Sequence, residues 1–181
     1  MKYLLLTLGL ALVCGIKAVD IAQTRKDLDI MKLTGTWHSM VMAASDLTLL
    51  ETEKAPLRVY IKEMWPTPEN NLKINLLKRV NGSCVEMTVI AQKTEDPAVF
   101  IVNYQGEMKV SVLDTDYDHY LFFCVETPMA TEEPRKVCQY LARTLSADTK
   151  IVEKFDEALK TLPMHAQIVL DFSQGKGETL L

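Results

Sequence analysis

Gly35-Thr36-Trp37 opens a chain in which about eight short segments follow, each alternating apolar and polar residues. A Gly-x-Trp at the head of such a series predicts a sheet that closes into a barrel. Trp37 is large enough to floor it, and Gly35 lets the backbone pass close beneath.

Downstream of this triplet the alternation is regular. Leu57, Val59 and Ile61 share one parity, as do Leu72, Ile74, Leu76 and Lys78, then Val85, Met87 and Val89. Phe100 and Val102 follow, then Met108, Val110 and Val112, then Leu121, Phe123 and Val125, and Val137, Gln139 and Leu141 end the series. Period two with one mainly apolar face is the signature of a half-buried strand. The turn signals between the segments, Pro66-Thr67-Pro68, Asn81-Gly82 and Gln105-Gly106, predict an antiparallel up-and-down meander. The fold class is therefore all-β: an eight-stranded antiparallel barrel. Asp148 to Leu162 breaks the period. Ile151, Phe155, Ala158, Leu159 and Leu162 recur at helical spacing, Asp148 can cap the start and Pro163 stops the end. That is one amphipathic helix packed outside the barrel, and Ala166 to Leu170 forms a short ninth strand behind it. The tail from Ser173 is expected to be loose.

Upstream of the triplet, Met1-Lys2 followed by the apolar run Tyr3 to Gly15 and the small residue Ala18 reads as a secretory signal peptide over residues 1–18. The run is too short to span a bilayer. Residues 19–181 then form a single domain with room for a sizeable core. Cleavage removes Lys2 and Lys17 and no acid, taking the net charge from −4 to −6. Such a balance argues against nucleic acid and against anionic membrane surfaces, and no later segment is long and apolar enough for insertion as a membrane helix. Cys84, Cys124 and Cys138 remain after cleavage, and three is odd. Cys124 and Cys138 lie in adjacent predicted strands and are candidates for a hairpin-bridging disulfide, which leaves Cys84 buried, capped or shared with another molecule. There is no Cys-x-x-Cys and the three histidines are isolated, so neither a zinc site nor any other cofactor is called for. No nucleophile–base constellation points to an enzyme. Asn81-Gly82-Ser83 is a sequon on a predicted turn, and glycosylation of Asn81 is expected.

The motifs together resemble the lipocalins. Gly35-Thr36-Trp37 matches the first lipocalin motif, Thr115-Asp116-Tyr117 the second, and Arg143 the third, an arginine laid across the tryptophan. Val41 to Asp46, Ala55 to Tyr60, Leu113 to Tyr117, Cys138-Gln139 and Leu162 to His165 are similar to the β-lactoglobulin/glycodelin group, over nearly the whole chain after the signal. The resemblance implies a calyx that binds retinol-like molecules and fatty acids, in a secreted or milk lipocalin. The alternative is a glycodelin-like immunomodulatory glycoprotein.

By position the calyx lining is Leu57, Val59, Ile74, Leu76, Val89, Phe100, Val102, Val110, Phe123 and Val125. Periodicity alone equally fits a barrel filled by its own side chains. Lys78 matches a mouth lysine that meets a carboxylate, whereas the family's second mouth lysine is here Met87. Glu107 matches a buried glutamate whose ionisation opens a loop over the mouth, and so would act as a gate. The family's second disulfide needs a cysteine near the C-terminus, and Asp171 to Leu181 contains none; its free-thiol position is Tyr140. In the family the strand after the helix pairs with its copy, so a homodimer through Ala166 to Leu170 is expected.

Overall fold

The computed structural model describes residues 26–127 and 134–173. The expected signal peptide, and the expected tail beyond Ser173, lie outside the described residues. Among the described residues ten strands form one antiparallel sheet: β1 (Gly35–Thr36), β2 (His38–Ala44), β3 (Tyr60–Pro66), β4 (Leu72–Val80), β5 (Ser83–Lys93), β6 (Val99–Asn103), β7 (Glu107–Thr115), β8 (Tyr120–Glu126), β9 (Lys136–Ala142) and β10 (Gln167–Asp171). One helix, α1 (Thr149–Lys160), precedes the last strand.

The strand order is β1-β3-β4-β5-β6-β7-β8-β9-β2-β10. β1 and β2 are two halves of one run interrupted at Trp37. The first half pairs with β3 (Gly35↔Met64) and the second with β9 (His38↔Ala142), so one segment ties both ends of the meander together. The Trp37 amide donates to the Lys62 carbonyl (3.0 Å) and the Ile61 amide donates to Ser39 Oγ (3.0 Å), continuing the seam. Counted this way, eight strands make the barrel and β10 is the ninth, laid along β2. Register shifts between Ser39 and Val41, Ile61 and Glu63, and Val112 and Asp114 supply the extra twist that curling requires.

Two apolar layers result. Inside the barrel, Trp37, Ile61, Met64, Ile74, Leu76, Phe100, Val112, Phe123 and Leu141 share a core. Outside it, Val41, Phe122, Tyr140, Phe155 and Leu159 pack α1 onto β8 and β9. The Phe155 ring lies 5.1 Å from that of Phe122. Asp148 caps α1 by accepting from the Lys150 amide. Cys124 and Cys138 stand directly opposite each other on β8 and β9 and are disulfide-bonded. Cys84 is a free thiol and is exposed rather than buried, because it occupies the outward parity of β5. No helix among the described residues is long and apolar enough to cross a membrane.

Candidate functional site

The two ends of the barrel differ in chemistry. At one end lie the motifs first noted in the sequence. Trp37 is fully buried, and its indole N–H donates to the Leu33 carbonyl (2.8 Å). The Arg143 guanidinium sits 3.8 Å over the Trp37 ring. It donates to the carbonyls of Tyr117 (2.9 Å), Thr34 (3.0 Å), Thr36 (3.1 Å) and Lys32 (2.9 Å). Burial lowers the Arg143 pKa from its usual value, and the four carbonyls stand in for the lost water.

Thr115 Oγ1 donates to the Tyr120 carbonyl (2.6 Å) and accepts from the Tyr117 amide (2.9 Å). Asp116 accepts from the His119 and Tyr120 amides and faces His119 Nδ1 at 2.7 Å. The Tyr117 hydroxyl accepts from the Asp29 amide. This end is a floor, knitted shut by backbone groups and the three motifs.

Above the floor is a partly enclosed cavity of about 90 Å³. All ten apolar positions expected from the sequence line it: Leu57, Val59, Ile74, Leu76, Val89, Phe100, Val102, Val110, Phe123 and Val125. Leu33, Ile61, Met64, Leu72, Ala91, Tyr104, Met108, Val112, Leu121, Val137 and Gln139 complete the wall. Most of these additions keep the inward parity of their strands, so the same alternation was the signal for them. Tyr104, one residue past β6, continues the parity of Phe100 and Val102, whereas Leu33 lies in the 3-10 turn Ile30–Leu33 and carried no such signal.

The wall's polar side chains are Gln139 and Tyr104. Gln139 accepts from Ser39 Oγ (2.7 Å) and donates to the Val59 carbonyl (2.9 Å), so its hydrogen-bonding capacity is directed into the wall. What remains for an occupant is a hydrocarbon surface.

At the open end, Lys78 is only 9 % exposed. Its ammonium donates to the Pro56 carbonyl (3.1 Å) and to the Tyr104 hydroxyl (3.1 Å). Asn81 and Gly82 form the β4–β5 turn with φ of 50° and 79°, and Asn81 is exposed. Glu107 does not occupy the buried place expected of a gate. It is exposed at the start of β7, bordering an outer groove with Thr88, Gln92 and Asn103. Strand parity decides this: Met108 points inward and is buried, so Glu107 points to solvent. Among the described residues no cluster of three or more His, Cys, Asp or Glu could hold a metal ion.

A closed antiparallel barrel with a tryptophan floor, an arginine lock and an apolar interior defines the calyx-type β-barrels. Within that class the chain belongs to the lipocalins: residues 34–176 match the Lipocalin / cytosolic fatty-acid binding protein family. It is similar to β-lactoglobulin-2 of Equus caballus, with 58% identity over 176 residues covering 97% of each chain. Human glycodelin is 49% identical over 174 residues, covering 96% of each chain. Among solved structures it is similar to the possum milk whey lipocalin trichosurin, crystallised at pH 4.6 with bound 4-ethylphenol. The TM-score is 0.69 at 27% identity, over 78% of this chain and 97% of that one.

Proposed function

We propose that the protein is a secreted carrier of small hydrophobic molecules, long-chain fatty acids and retinoids being the classes its calyx would take. The observation that carries this reading is the apolar cavity whose polar lining side chains are already hydrogen-bonded. Such a wall rewards hydrocarbon and little else. Each methylene moved into it from water contributes ~0.8 kcal/mol, before the costs of association are subtracted. Affinity should therefore rise with tail length, and chemical specificity should be broad. Trichosurin, a lipocalin similar to this chain, carries bound 4-ethylphenol, a small ring with a short tail, which supports this reading.

Fluorescence titration with retinol and with palmitate tests the proposal. Trp37 adjoins Leu33 of the cavity wall, so a saturable change in tryptophan emission is expected. Val102→Phe, which puts a ring into the cavity, should abolish that change while leaving the far-ultraviolet circular dichroism intact. A wild-type protein that takes up neither ligand would remove the carrier function.

The expected removal of residues 1–18 and the homodimer through β10 belong to the same proposal. β10 stands at one end of the sheet order, which favours pairing with its copy. A glycodelin-like glycoprotein role is the second reading. It is favoured by the exposed Asn81 on its turn and by the similarity to glycodelin. The intact mass of the protein from culture medium decides both processing steps: a chain starting at Val19, with or without a glycan at Asn81.

A further inference from the structure

We infer that the free edge of β5 docks an extended peptide segment of a partner protein, which adds a strand there and sets a Lys or Arg against Glu107. The inference is independent of the carrier reading. It begins from an uneven ladder. β4 pairs with β5 from Ser83 to Ala91 without a register shift, whereas β6 pairs with β5 only at Ala91, Gln92 and Lys93, toward the floor. Toward the open end β5 therefore parts from β6, and Ser83 to Val89 have a strand on one side only. The Asn81-Gly82 turn, with both φ positive, is of type I′, so Val80 and Ser83 exchange both of their hydrogen bonds. Alternation from that pair points the amides and carbonyls of Ser83, Val85, Met87 and Val89 at β4, and those of Cys84, Glu86 and Thr88 outward. Among the described residues no strand pairs with that outward side.

A bare edge is ordinarily guarded by proline, a bulge or charge. This stretch has no Pro and no bulge. Its one charged side chain, Glu86, is drawn over the sheet by Lys62 (2.9 Å) and Asn75 (3.2 Å). Thr88 Oγ1 likewise donates to Asn75 (2.6 Å), so both side chains lean away from the edge. At the foot of the edge, where β5 meets β6, lies an outer groove of about 380 Å³. Ile90 and Ile101 give it an apolar base, and Gln92, Asn103 and Glu107 its polar sides. Glu107 makes no ion pair among the described residues. These features choose the occupant. An added antiparallel strand bonds to the amide and carbonyl of Cys84, Glu86 and Thr88 in turn. Its side chain opposite Thr88 enters the groove, where a cation meets Glu107. A second copy of this chain fits less well. The two-fold pairing that uses all three residues is centred on Glu86 and sets that carboxylate against itself.

Fluorescence anisotropy of the full chain with the labelled peptide acetyl-Thr-Lys-Val-Thr-Val-Thr-Thr-amide tests the assignment. Saturable binding is expected, with the lysine opposite Thr88. N-methylation of the central Thr, whose N–H then faces Glu86, should weaken binding about tenfold. N-methylation of the second Val, whose N–H faces away, should leave it unchanged. Glu107→Gln should weaken binding about threefold, the worth of an exposed ion pair. Thr88→Pro removes an outward amide, spares the ladder to β4, and should abolish binding with the far-ultraviolet circular dichroism intact. In hydrogen exchange the amides of Cys84, Glu86 and Thr88 should be fast in the free protein and slowed by the peptide. Failure of wild type to bind the peptide, or an equal loss from both N-methylations, overturns the proposal. So does a wild-type dimer in sedimentation that Thr88→Pro dissociates, since it gives the edge to a second copy.

Discussion

Gly35 shows how one residue type can be required by its neighbour. Its φ of +113° lies in the region that favours glycine, and an added Cβ would come within 3.1 Å of Arg143 Nη1. That nitrogen is not free to yield, since it donates to both Thr34 and Thr36. Gly35→Ala should therefore destabilise the protein by about 2 kcal/mol, the cost of a residue held in a sparsely populated conformation. Urea unfolding measures it, and a loss too small to resolve would mean that the lock has slack. Gly35, Trp37 and Arg143 were legible as a set because each is unusual for its place and the motif resemblance linked them. Glu107 was misread by the same route. Its matched position suggested burial, whereas the parity of Met108 beside it predicts exposure and is what the structure follows. Tyr104 lies one residue beyond the end of β6, yet it keeps the inward parity of Phe100 and Val102 and so lines the cavity with them. Its hydroxyl accepts from Lys78, a bond that crosses 26 positions of sequence and has no local signal.

At the scale of elements, alternation was sufficient wherever a strand buries one face. β4 is the plainest case, with Leu72, Ile74, Leu76 and Lys78 buried and their neighbours partly exposed. It was insufficient for β8 and β9, which bury both faces: Leu121 and Phe123 look into the barrel while Phe122 and Tyr140 meet the helix. The helix itself was read from its period, and the observed Thr149–Lys160 lies inside the expected span. The break between β1 and β2 at Trp37 carried no local signal, because it is set by which strand each half pairs with. The helix is anchored chiefly by two buried side chains, Phe155 and Leu159. Phe155 is fully buried against Phe122 and Tyr140. Phe155→Ala should cost ~3–5 kcal/mol, whereas removing the cap with Asp148→Ala should cost only about 1 kcal/mol. Chemical denaturation of the two variants ranks them. A reversed order would show that α1 is held by its own start rather than by the barrel.

For the whole molecule, acid removes a defined set of stabilising carboxylates. Burial alone would raise the pKa of Asp114, but hydrogen bonds from Tyr120 (2.7 Å) and the Lys154 ion pair (2.9 Å) outweigh it and bring the carboxyl below its ordinary range. Asp116 follows the same pattern: burial opposes, and the Tyr120 and His119 amides prevail. Asp46 is lowered by Thr48 and Arg135. In each case the unfolded chain takes up protons first as pH falls, so these groups support the fold above about pH 4 and cease to do so below it. His38 acts in the same direction at higher pH. Burial disfavours its charged form, so a small loss begins as pH drops through about 6.5. Stability measured by urea midpoint should thus decline slightly near pH 6.5 and steeply below pH ~4. Asp114→Asn isolates one structural share, because Asp114 also joins α1 to β7 and β8 through Lys154 and Tyr120. With Lys154 half exposed the pair is partly screened, so the variant should lose about 1 kcal/mol at neutral pH. Its acid slope should also be shallower than that of wild type, so the two curves converge as pH falls. Parallel curves at all pH values would place the acid sensitivity elsewhere than in this carboxylate.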